Sequence, residues 1–299
     1  MKQSLGTEYL LLLLVAAIWG ASFSLIKVGV SEIGPATLTL GRVTIAAITL
    51  TVWLIIFERK MLDTSLQAIS YYAFIGLLGN AIPFTLIGMS EQTLDSSFVA
   101  ILMGIMPLFT IGMAHFFLED EPFSKRMLFG ISIGFTSLIV LLGFSIWEGA
   151  KQDILAQALV ILASICYAAT TIIVRRNKRL SGLEMATGAM IAASVFSMIA
   201  AFILEDPTQL NWTARAILPM ILLGVLPTAL ASVLYFRLVR SLGATRFAQI
   251  NYIIPVFGSI IGAVFLDEII SWRMVVALAL VLSGIYLVHG ARKGAPSVI

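Results

Sequence analysis

Residues 255–269 read PVFGSIIGAVFLDEI, an apolar run that opens on a proline and stops at two acidic residues. Residues 107–121 repeat the pattern as PLFTIGMAHFFLEDE, and the two opening prolines lie 148 positions apart. Other landmarks coincide at the same interval: Gly34 with Gly182, Gly76 with Gly224, and Lys27 with Arg175. The interval predicts that the chain consists of two related halves, residues 1–149 and 150–299.

The composition is typical of a protein that lies in a lipid bilayer. Hydrophobic residues make up 60% of the 299 residues and charged residues 12%, whereas a soluble domain is about a quarter charged. A helix needs about 20 mostly apolar residues to cross the hydrocarbon core. Ten such runs are present: 8–27, 36–56, 69–90, 96–117, 125–146, 153–174, 183–204, 215–237, 246–266 and 272–290. They do not alternate as barrel strands do, so we expect an all-α polytopic membrane protein with ten transmembrane helices.

The basic residues indicate how these helices are oriented. With ten spans, 14 of the 19 Lys and Arg residues fall on the side that holds both termini, four fall on the other side, and Arg42 lies within a span. Cytoplasmic loops carry the excess of Lys and Arg in membrane proteins. The sequence therefore predicts that the N- and C-termini are both cytoplasmic.

Five spans in each half make the two halves inverted relative to each other. Because five is an odd number, the second half must enter the membrane from the side opposite to the first. The acid pairs Glu119–Asp120 and Asp267–Glu268 are then expected on the inner and outer faces, respectively. Inverted repeats let one site open alternately to either side. The sequence predicts a binding site near the midplane, between two inverted five-helix repeats.

Several stretches resemble a known family of transporters. Residues 16–29, AAIWGASFSLIKVG, and residues 39–50, TLGRVTIAAITL, resemble the first and second helices of the drug/metabolite transporter superfamily, in its ten-helix EamA-type branch. Each half also ends with a proline-bearing helix, an acidic break and a Gly-rich helix. Two departures stand out: Asp267 replaces the glycine of the usual Gly-Glu break, and Met190 takes the place in the second half that Arg42 has in the first.

Within that branch, the chain looks most like the YddG-type exporters of aromatic amino acids and related compounds. The resemblance implies export of a small metabolite from the cytoplasm across the cell inner membrane, without ATP. It implies no cofactor. The expected partners are a small-molecule substrate and the lipid bilayer, not nucleic acid, and we expect a monomer.

Two helix faces are candidate walls for a substrate ring. Trp19, Ser22 and Phe23 share one face of the first span at the spacing i, i+3, i+4. Trp19 lies halfway along that span, too deep for an interfacial anchor. Tyr167 and Thr171 lie on the matching face of the sixth span. Helix packing beside neighbouring small residues is the alternative interpretation.

Polar side chains and prolines within the spans are the other candidates for substrate binding. Asn80 shares a face of the third span with Phe84, and Asn251 and Tyr252 lie in the ninth span. A buried amide in lipid must find partners, either on a neighbouring helix or on a ligand. A proline removes a backbone donor and exposes a carbonyl one turn back. We single out four prolines near midspan as gating or helix-break residues, with simple kinks as the alternative: Pro83, Pro107, Pro227 and Pro255.

Arg42 is the charged residue that the sequence places inside a span. A buried charge is expensive in a bilayer, so it should be paired, face water, or snorkel to the interface. Glu91 and Asp95 are possible partners at the outer end of neighbouring spans. We interpret Arg42 as a structural charge, with substrate contact as the less favoured alternative.

Absent motifs exclude several function classes. Cys166 is the only cysteine, so neither an intrachain disulfide nor a Cys-based metal cluster can form. No G-x-x-x-x-G-K-[ST] loop is present, so the chain is not its own ATP motor. No carboxylate lies in the middle of a span, which disfavours cation/proton antiport.

The sequence thus favours a secondary exporter of small neutral or zwitterionic metabolites, such as aromatic or apolar amino acids. A proton-coupled exporter of drugs or other metabolites is the alternative. A channel or an intramembrane enzyme is disfavoured, because neither a ring of charge nor a nucleophile–base pair is visible.

Overall fold

The computed structural model describes residues 5–117, 128–130, 132–137, 139–140, 151–176, 179–209, 212–242 and 250–292. These residues lie in helices or in their connections, and none of them forms a strand. The α-helices, numbered in chain order, are α1 Leu5–Val30, α2 Pro35–Ile56, α3 Leu66–Gly76, α4 Ile82–Glu91, α5 Ser96–Met103, α6 Met106–Phe117, α7 Lys151–Arg176, α8 Gly182–Leu204, α9 Ala214–Leu223, α10 Ala231–Leu242, α11 Ile250–Phe265 and α12 Trp272–Arg292.

Seven helical segments within the described residues are long and apolar enough to cross a membrane. They are Gly6–Val30, Pro35–Ile56, Leu66–Glu91, Ser96–Phe117, Asp153–Val174, Gly182–Leu204 and Ala214–Tyr235. Shorter apolar helical stretches coincide with the three other predicted spans: residues 128–130 with 132–137, Ile253–Phe265, and Trp272–Gly284. The prediction of an all-helical polytopic membrane protein is confirmed for the part of the chain that the structure describes.

Two of the spans change their helical geometry partway. The first π-turn, Leu77–Ala81, lies between α3 and α4 in the third span. The second π-turn, Gly224–Leu230, lies between α9 and α10 in the eighth span. A π-helical turn widens the helix by one residue, interrupts the regular i→i−4 ladder, and is frequent at functional sites. Both wide turns therefore need other hydrogen-bond donors for their carbonyl groups.

Polar side chains supply those donors in the same way in both π-turns. Asn80 donates through Nδ2 to the carbonyl of Ile75 at 3.1 Å. Thr228 donates through Oγ1 to the carbonyl of Leu223 at 2.7 Å. Each donor bonds the carbonyl five residues before it, and the second pair lies 148 positions after the first. Because lipid offers no hydrogen bonds, these side chains stabilise the irregular backbone from within.

Glycines allow the neighbouring helices to approach these wide turns closely. A Cβ atom added to Gly76 would lie 2.8 Å from the Ala193 nitrogen in α8. A Cβ atom added to Gly224 would lie 2.7 Å from the Ile45 Cβ and 2.9 Å from the Arg42 carbonyl oxygen in α2. Ala193 follows Ile45 by the same 148 positions. The third span thus approaches α8 closely at a position equivalent to the one at which the eighth span approaches α2.

The acidic break in the opening sequence has a structural role at the outer end of α11. Asp267 has a left-handed backbone, with φ at 54°, which turns the chain back toward α5. Glu268 then accepts hydrogen bonds from the backbone amides of Ser96 at 2.7 Å and Ser97 at 2.8 Å. It therefore caps the N-terminus of α5, where helical N–H groups lack internal partners. The equivalent acids, Glu119–Asp120, lie outside the described residues.

This capping contact also affects the acidity of Glu268. Partial burial acts to raise the pKa of its carboxyl group, but the hydrogen bonds from Ser97 and Ser96 outweigh that effect. The pKa of Glu268 therefore lies below its ordinary value, because the amide donors favour the ionised carboxylate.

Helices α2 and α8 lie side by side in opposite directions. At the end of α8, Glu205 accepts hydrogen bonds from the Thr37 nitrogen at 2.9 Å and from the Thr37 hydroxyl at 2.6 Å, at the start of α2. Near the start of α8, Glu184 accepts from the Asp63 nitrogen at 3.0 Å, in the segment that follows α2. Arg179 forms a 2.6 Å salt bridge with the same Asp63. Both ends of this helix pair are therefore fixed by contacts between the two halves of the chain.

Candidate functional site

Arg42 contacts residues from both halves of the chain. Its Nε atom donates to Thr228 Oγ1 at 2.8 Å, and its guanidinium carbon lies 3.7 Å from the centre of the Phe84 ring. The residue is only 5% exposed, so it does not snorkel. It forms no salt bridge with either predicted partner, Glu91 or Asp95. The predicted acidic partners of Arg42 are therefore wrong: its direct contacts are a hydroxyl and an aromatic ring.

Tyr167 extends the aromatic side of this cluster. The Phe84 and Tyr167 rings lie 6.4 Å apart between centroids, at an angle of 61°, within the range of favourable edge-to-face contacts. Arg42, Phe84, Tyr167 and Thr228 come from the second, third, sixth and eighth predicted spans. Each lies seven residues from the nearer end of its helical segment, which is about 10 Å along a helix. We call these four residues the central cluster.

Trp19 contacts the same π-turn as Arg42. Its indole Nε1 donates to the Pro227 carbonyl at 2.9 Å, one residue before the threonine that binds Arg42. The Trp19 ring also lies 6.4 Å from the ring of Tyr235 in α10. The second π-turn thus fixes both the predicted aromatic residue of α1 and the predicted charge of α2.

The remaining residues of the two predicted ring walls have contacts within the protein. Ser22 donates to the Trp19 carbonyl at 2.6 Å, and Phe23 is buried among packed helices. Thr171 donates to the Tyr167 carbonyl at 2.9 Å and is exposed. The burial of Phe23 agrees with the helix-packing alternative, whereas the hydroxyls of Ser22 and Thr171 bond within their own helices. A role of these three residues in substrate binding stays a prediction.

The predicted amides lie in different surroundings. Asn80 is buried, and its Nδ2 is used by the first π-turn. Asn251 is half-buried in α11. Tyr252 belongs to the same helix, but its side chain lies outside the described part of the structure. Substrate contact by these three residues stays a prediction.

Three of the four predicted helix-break prolines lie at irregular backbone. Pro83 follows the first π-turn, Pro227 lies inside the second, and Pro107 follows the short break between α5 and α6. Pro255 lies within α11, which continues through it. The carbonyl one turn before Pro227 is already bonded by the Thr228 hydroxyl. That bond agrees with a structural role for the break at Pro227, and the gating or helix-break role of the four prolines stays a prediction.

Two residues that matter here were not singled out as site residues from the sequence. Glu91 ends the third span, yet it has 0% exposure, and neither of its carboxyl oxygens has a hydrogen-bond partner within the part of the chain that the structure describes. The Lys27 ammonium beside it binds the backbone carbonyls of Glu91 and Leu94, both at 2.8 Å. Thr228 is a neutral residue in an apolar run, and the one signal for it was the 148-residue interval that pairs it with Asn80.

The side chains of the central cluster are of types that suit the binding of a ligand. Among the described residues, no group of three or more His, Cys, Asp or Glu side chains is placed to hold a metal ion. The central cluster instead combines one guanidinium, one hydroxyl and two aromatic rings. Such a mixture suits a ligand with one polar end and one apolar end, since binding sites are mostly apolar with a few fixed polar groups.

Polar groups that meet near midspan among several membrane-spanning helices are typical of membrane transport proteins. The chain belongs to the EamA-like transporter family, whose model matches residues 6–143 and residues 154–290. This result confirms the resemblance to the EamA-type branch that the first two helices indicated. The two matched regions begin 148 positions apart.

Curated relatives are also named as transporters. The chain is 23% identical to the uncharacterized transporter YoaV of Bacillus subtilis, covering 91% of this chain and 93% of that protein. It is 25% identical to an S-adenosylmethionine/S-adenosylhomocysteine transporter of Chlamydia trachomatis, covering 93% and 88%. It is 26% identical to the uncharacterized inner membrane transporter YedA of Escherichia coli, covering 94% and 92%. The chain is thus a multi-pass membrane transporter.

The fold also occurs among solved structures. One crystal structure matches with a TM-score of 0.68 and 16% sequence identity, over 98% of this chain and 100% of the other. At this identity, the match concerns the fold alone.

Proposed function

We propose that this protein is a secondary exporter of small neutral or zwitterionic metabolites, with aromatic or apolar amino acids as its cargo. The observation that carries the proposal is the central cluster, in which a buried guanidinium and two aromatic rings from different spans meet. A zwitterion with an aromatic side chain has the matching polar and apolar ends. The resemblance of the sequence to YddG-type exporters supports the same cargo.

We further propose that the chain has ten transmembrane helices arranged as two inverted five-helix repeats. The two matches to the family begin 148 positions apart, and the two π-turns are separated by about the same distance. The Asn80 and Thr228 hydrogen bonds and the Gly76 and Gly224 contacts are related by that interval. Reciprocal contacts of this kind are expected from two copies packed about an axis in the membrane plane.

The basic residues support an orientation with both termini in the cytoplasm. Of 19 Lys and Arg residues, 14 belong to the proposed cytoplasmic side. In this orientation Glu205 accepts hydrogen bonds from the start of α2, and Glu268 from the start of α5, on the outer face. Asp63 and Arg179 pair on the inner face. We place the protein in the cell inner membrane and expect a monomer.

Transport proceeds by rocking of one half against the other around the central cluster. Arg42 and Phe84 belong to the first half, while Thr228 and Tyr167 belong to the second, so the cluster changes whenever the halves move. Small residues let the backbones approach closely where the halves meet, as at Gly224 against α2. Alternating access of this kind exposes one site to each side in turn.

Two alternatives in cargo or coupling have specific support. S-adenosylmethionine also combines an amino-acid group with an aromatic ring system, and a relative named for this cargo is 25% identical. Proton-coupled export of drugs or other metabolites is favoured by the buried Glu91, whose carboxyl oxygens find no hydrogen-bond partner among the residues described. A channel or an enzyme has no comparable observation in its favour.

Counterflow in liposomes tests the proposal. The purified protein is reconstituted, loaded with unlabelled compound, and supplied with labelled L-phenylalanine, L-tryptophan, L-leucine, S-adenosylmethionine, glucose or tetraphenylphosphonium. Saturable counterflow of the aromatic amino acids is expected, and a channel would give no acceleration by unlabelled compound inside. The matched control variant is Gly112→Ala, because an added Cβ there would have no neighbour within 4 Å among the described residues. Movement of only sugars, nucleotides or fixed cations would overturn the proposed cargo.

A further inference from the structure

We propose that Arg42 is the carboxylate-binding residue of the transport site, and that its terminal nitrogens Nη1 and Nη2 hold the carboxylate of the cargo. The inference rests on the transport function proposed above and deepens it by assigning one end of the ligand to one side chain. It replaces the sequence-based interpretation of Arg42 as a purely structural charge.

The first argument is the set of donors that Arg42 leaves unused. A guanidinium has five N–H donors and stays protonated in proteins. The Nε donor is satisfied by Thr228. The remaining four N–H groups, on Nη1 and Nη2, find no acceptor and no salt-bridge partner among the described residues. A buried charge is stable only when it is paired and hydrogen-bonded, so this edge of the guanidinium lacks an anion.

The second argument is the fixed orientation of that edge. The Thr228 hydroxyl donates to the Leu223 carbonyl, so its lone pair is directed at Arg42 Nε. The Phe84 ring covers one face of the guanidinium at 3.7 Å. Together these contacts fix both the plane and the rotation of the group. A preoriented Nη1–Nη2 edge matches the two oxygens of a carboxylate in a bidentate pair, and preorganisation lowers the entropic cost of binding.

The third argument concerns the charges around the cluster. Glu91 is near enough to interact electrostatically with Arg42, but the two form no salt bridge. Lys27, which also interacts with Glu91, donates to two backbone carbonyls rather than to a carboxylate oxygen. A ligand carboxylate can therefore bind Arg42 without displacing an ion pair that the protein has already formed.

The fourth argument selects a single carboxylate over a phosphate. Arg42 has no cationic counterpart in the second half, where Met190 is its equivalent and is buried. One guanidinium matches the single negative charge of a carboxylate, whereas a phosphate carries up to two charges and three acceptor oxygens. The Phe84 ring lies beside Arg42, and the Tyr167 ring lies beside Phe84. An aromatic or apolar side chain of a cargo whose carboxylate binds Arg42 could therefore contact these rings.

Competition in the parent protein tests the inference without any substitution. Counterflow of labelled L-phenylalanine is measured against unlabelled L-phenylalanine, 3-phenylpropionate, L-phenylalaninamide and inorganic phosphate. The amide keeps the ring and the amine but lacks the carboxylate, so it should compete about 10- to 100-fold more weakly than L-phenylalanine. Equal competition by the amide, or strong competition by phosphate, would overturn a carboxylate-specific role for Arg42.

Variants supply the second test. Arg42→Met, which copies the residue of the second half, should lose L-phenylalanine counterflow by about 10- to 100-fold. Arg42→Lys should retain part of the counterflow, because an ammonium keeps the positive charge but lacks the two parallel N–H donors that bind a carboxylate in a bidentate pair. Thr228→Val, a change at a positioning residue, should raise the KM for L-phenylalanine while preserving discrimination against the amide. Gly112→Ala is the control, and elution from a size-exclusion column reports whether each variant is folded.

Binding measured without transport separates this inference from the proposed function. The melting temperature of the detergent-solubilised parent and of Arg42→Met is measured with 3-phenylpropionate and with L-phenylalaninamide. If the parent moves no amino acid but 3-phenylpropionate stabilises it in an Arg42-dependent way, the proposed cargo fails and the carboxylate site stands. If the parent moves L-phenylalanine and the amide equally well, the carboxylate site fails and the transport function stands. If the parent moves no amino acid and 3-phenylpropionate does not stabilise it, both the proposed cargo and the carboxylate site are overturned.

Discussion

The close contact between the second π-turn and α2 predicts a measurable effect of adding one methyl group. In Gly224→Ala, the new Cβ would lie 2.7 Å from the Ile45 Cβ and 2.9 Å from the Arg42 carbonyl oxygen. Ordinary contacts between such atoms are about 3.5–4.0 Å, so α2 and the π-turn must separate by several tenths of an ångström. Overpacking of this kind costs about 1–3 kcal/mol.

A matched control isolates this packing effect from helix propensity. Replacing glycine by alanine within a helix is itself favourable by up to about 1 kcal/mol. Gly112→Ala, in α6, gains this favourable helix propensity without a clash against any described residue, because its added Cβ would have no such neighbour within 4 Å. The free energies of unfolding of Gly224→Ala and Gly112→Ala should therefore differ by about 1–3 kcal/mol. Gly76→Ala should resemble Gly224→Ala, since its Cβ would lie 2.8 Å from the Ala193 nitrogen.

The assay is unfolding in detergent micelles, followed by tryptophan fluorescence, with counterflow measured on the same preparations. Gly224→Ala should also lower transport, because the clash acts on the backbone of Arg42. If Gly224→Ala unfolds like Gly112→Ala, the close approach of α2 to the second π-turn is not a constraint on the fold. If Gly76→Ala and Gly224→Ala differ widely, the equivalence of the two halves at these positions is refuted.

Three other outcomes follow from the fold and the proposed function. Trp19→Ala and Tyr252→Ala should each weaken transport of aromatic amino acids about tenfold or more, because losing a ring contact costs about 1–3 kcal/mol; parent-like rates in both would contradict the aromatic site. The cap formed by Glu268 stabilises the protein above the ordinary pKa of a glutamate and loses its effect as the pH falls through the lowered pKa. Glu268→Gln should therefore show a smaller drop in melting temperature between pH 6 and about pH 3, and an unchanged drop would exclude this cap. In a cysteine-free background, an impermeant reagent applied outside should label a cysteine in the 205–214 loop but not one in the 175–182 loop, and the reverse pattern would refute the orientation.

Parts of the site could be predicted from the sequence because residue type alone limits what a membrane span tolerates. Trp19, Phe84 and Tyr167 are large aromatic residues deep in apolar runs, and Arg42 is a charge in a span, so residue type and position identified all four as candidates. Their contacts were not predictable. The acids near Arg42 in the expected topology, Glu91 among them, were reasonable partners by charge, but the structure brings a hydroxyl from another half of the chain to the guanidinium instead.

The roles of Thr228 and Glu91 could not be predicted from residue type. Thr228 is a common, neutral residue, and its importance comes from accepting a hydrogen bond from Arg42 while it donates to a carbonyl of the π-turn. Glu91 ends an apolar run, which is the usual place for an exposed acid, yet its carboxyl group is fully buried. Burial depends on which helices cover a position, and no local pattern records that.

The sequence by itself determined the membrane setting, the helical class and the 148-residue interval. These properties depend on the length of apolar runs and on spacing along the chain, which are local or periodic quantities. The tertiary structure decided which polar groups meet: Arg42 bonds Thr228 across 186 positions, and Trp19 bonds Pro227 across 208. The physical reason is that lipid offers no hydrogen bonds, so a buried donor depends on an acceptor from the protein or from a bound ligand, and only the packing of the helices selects which groups meet.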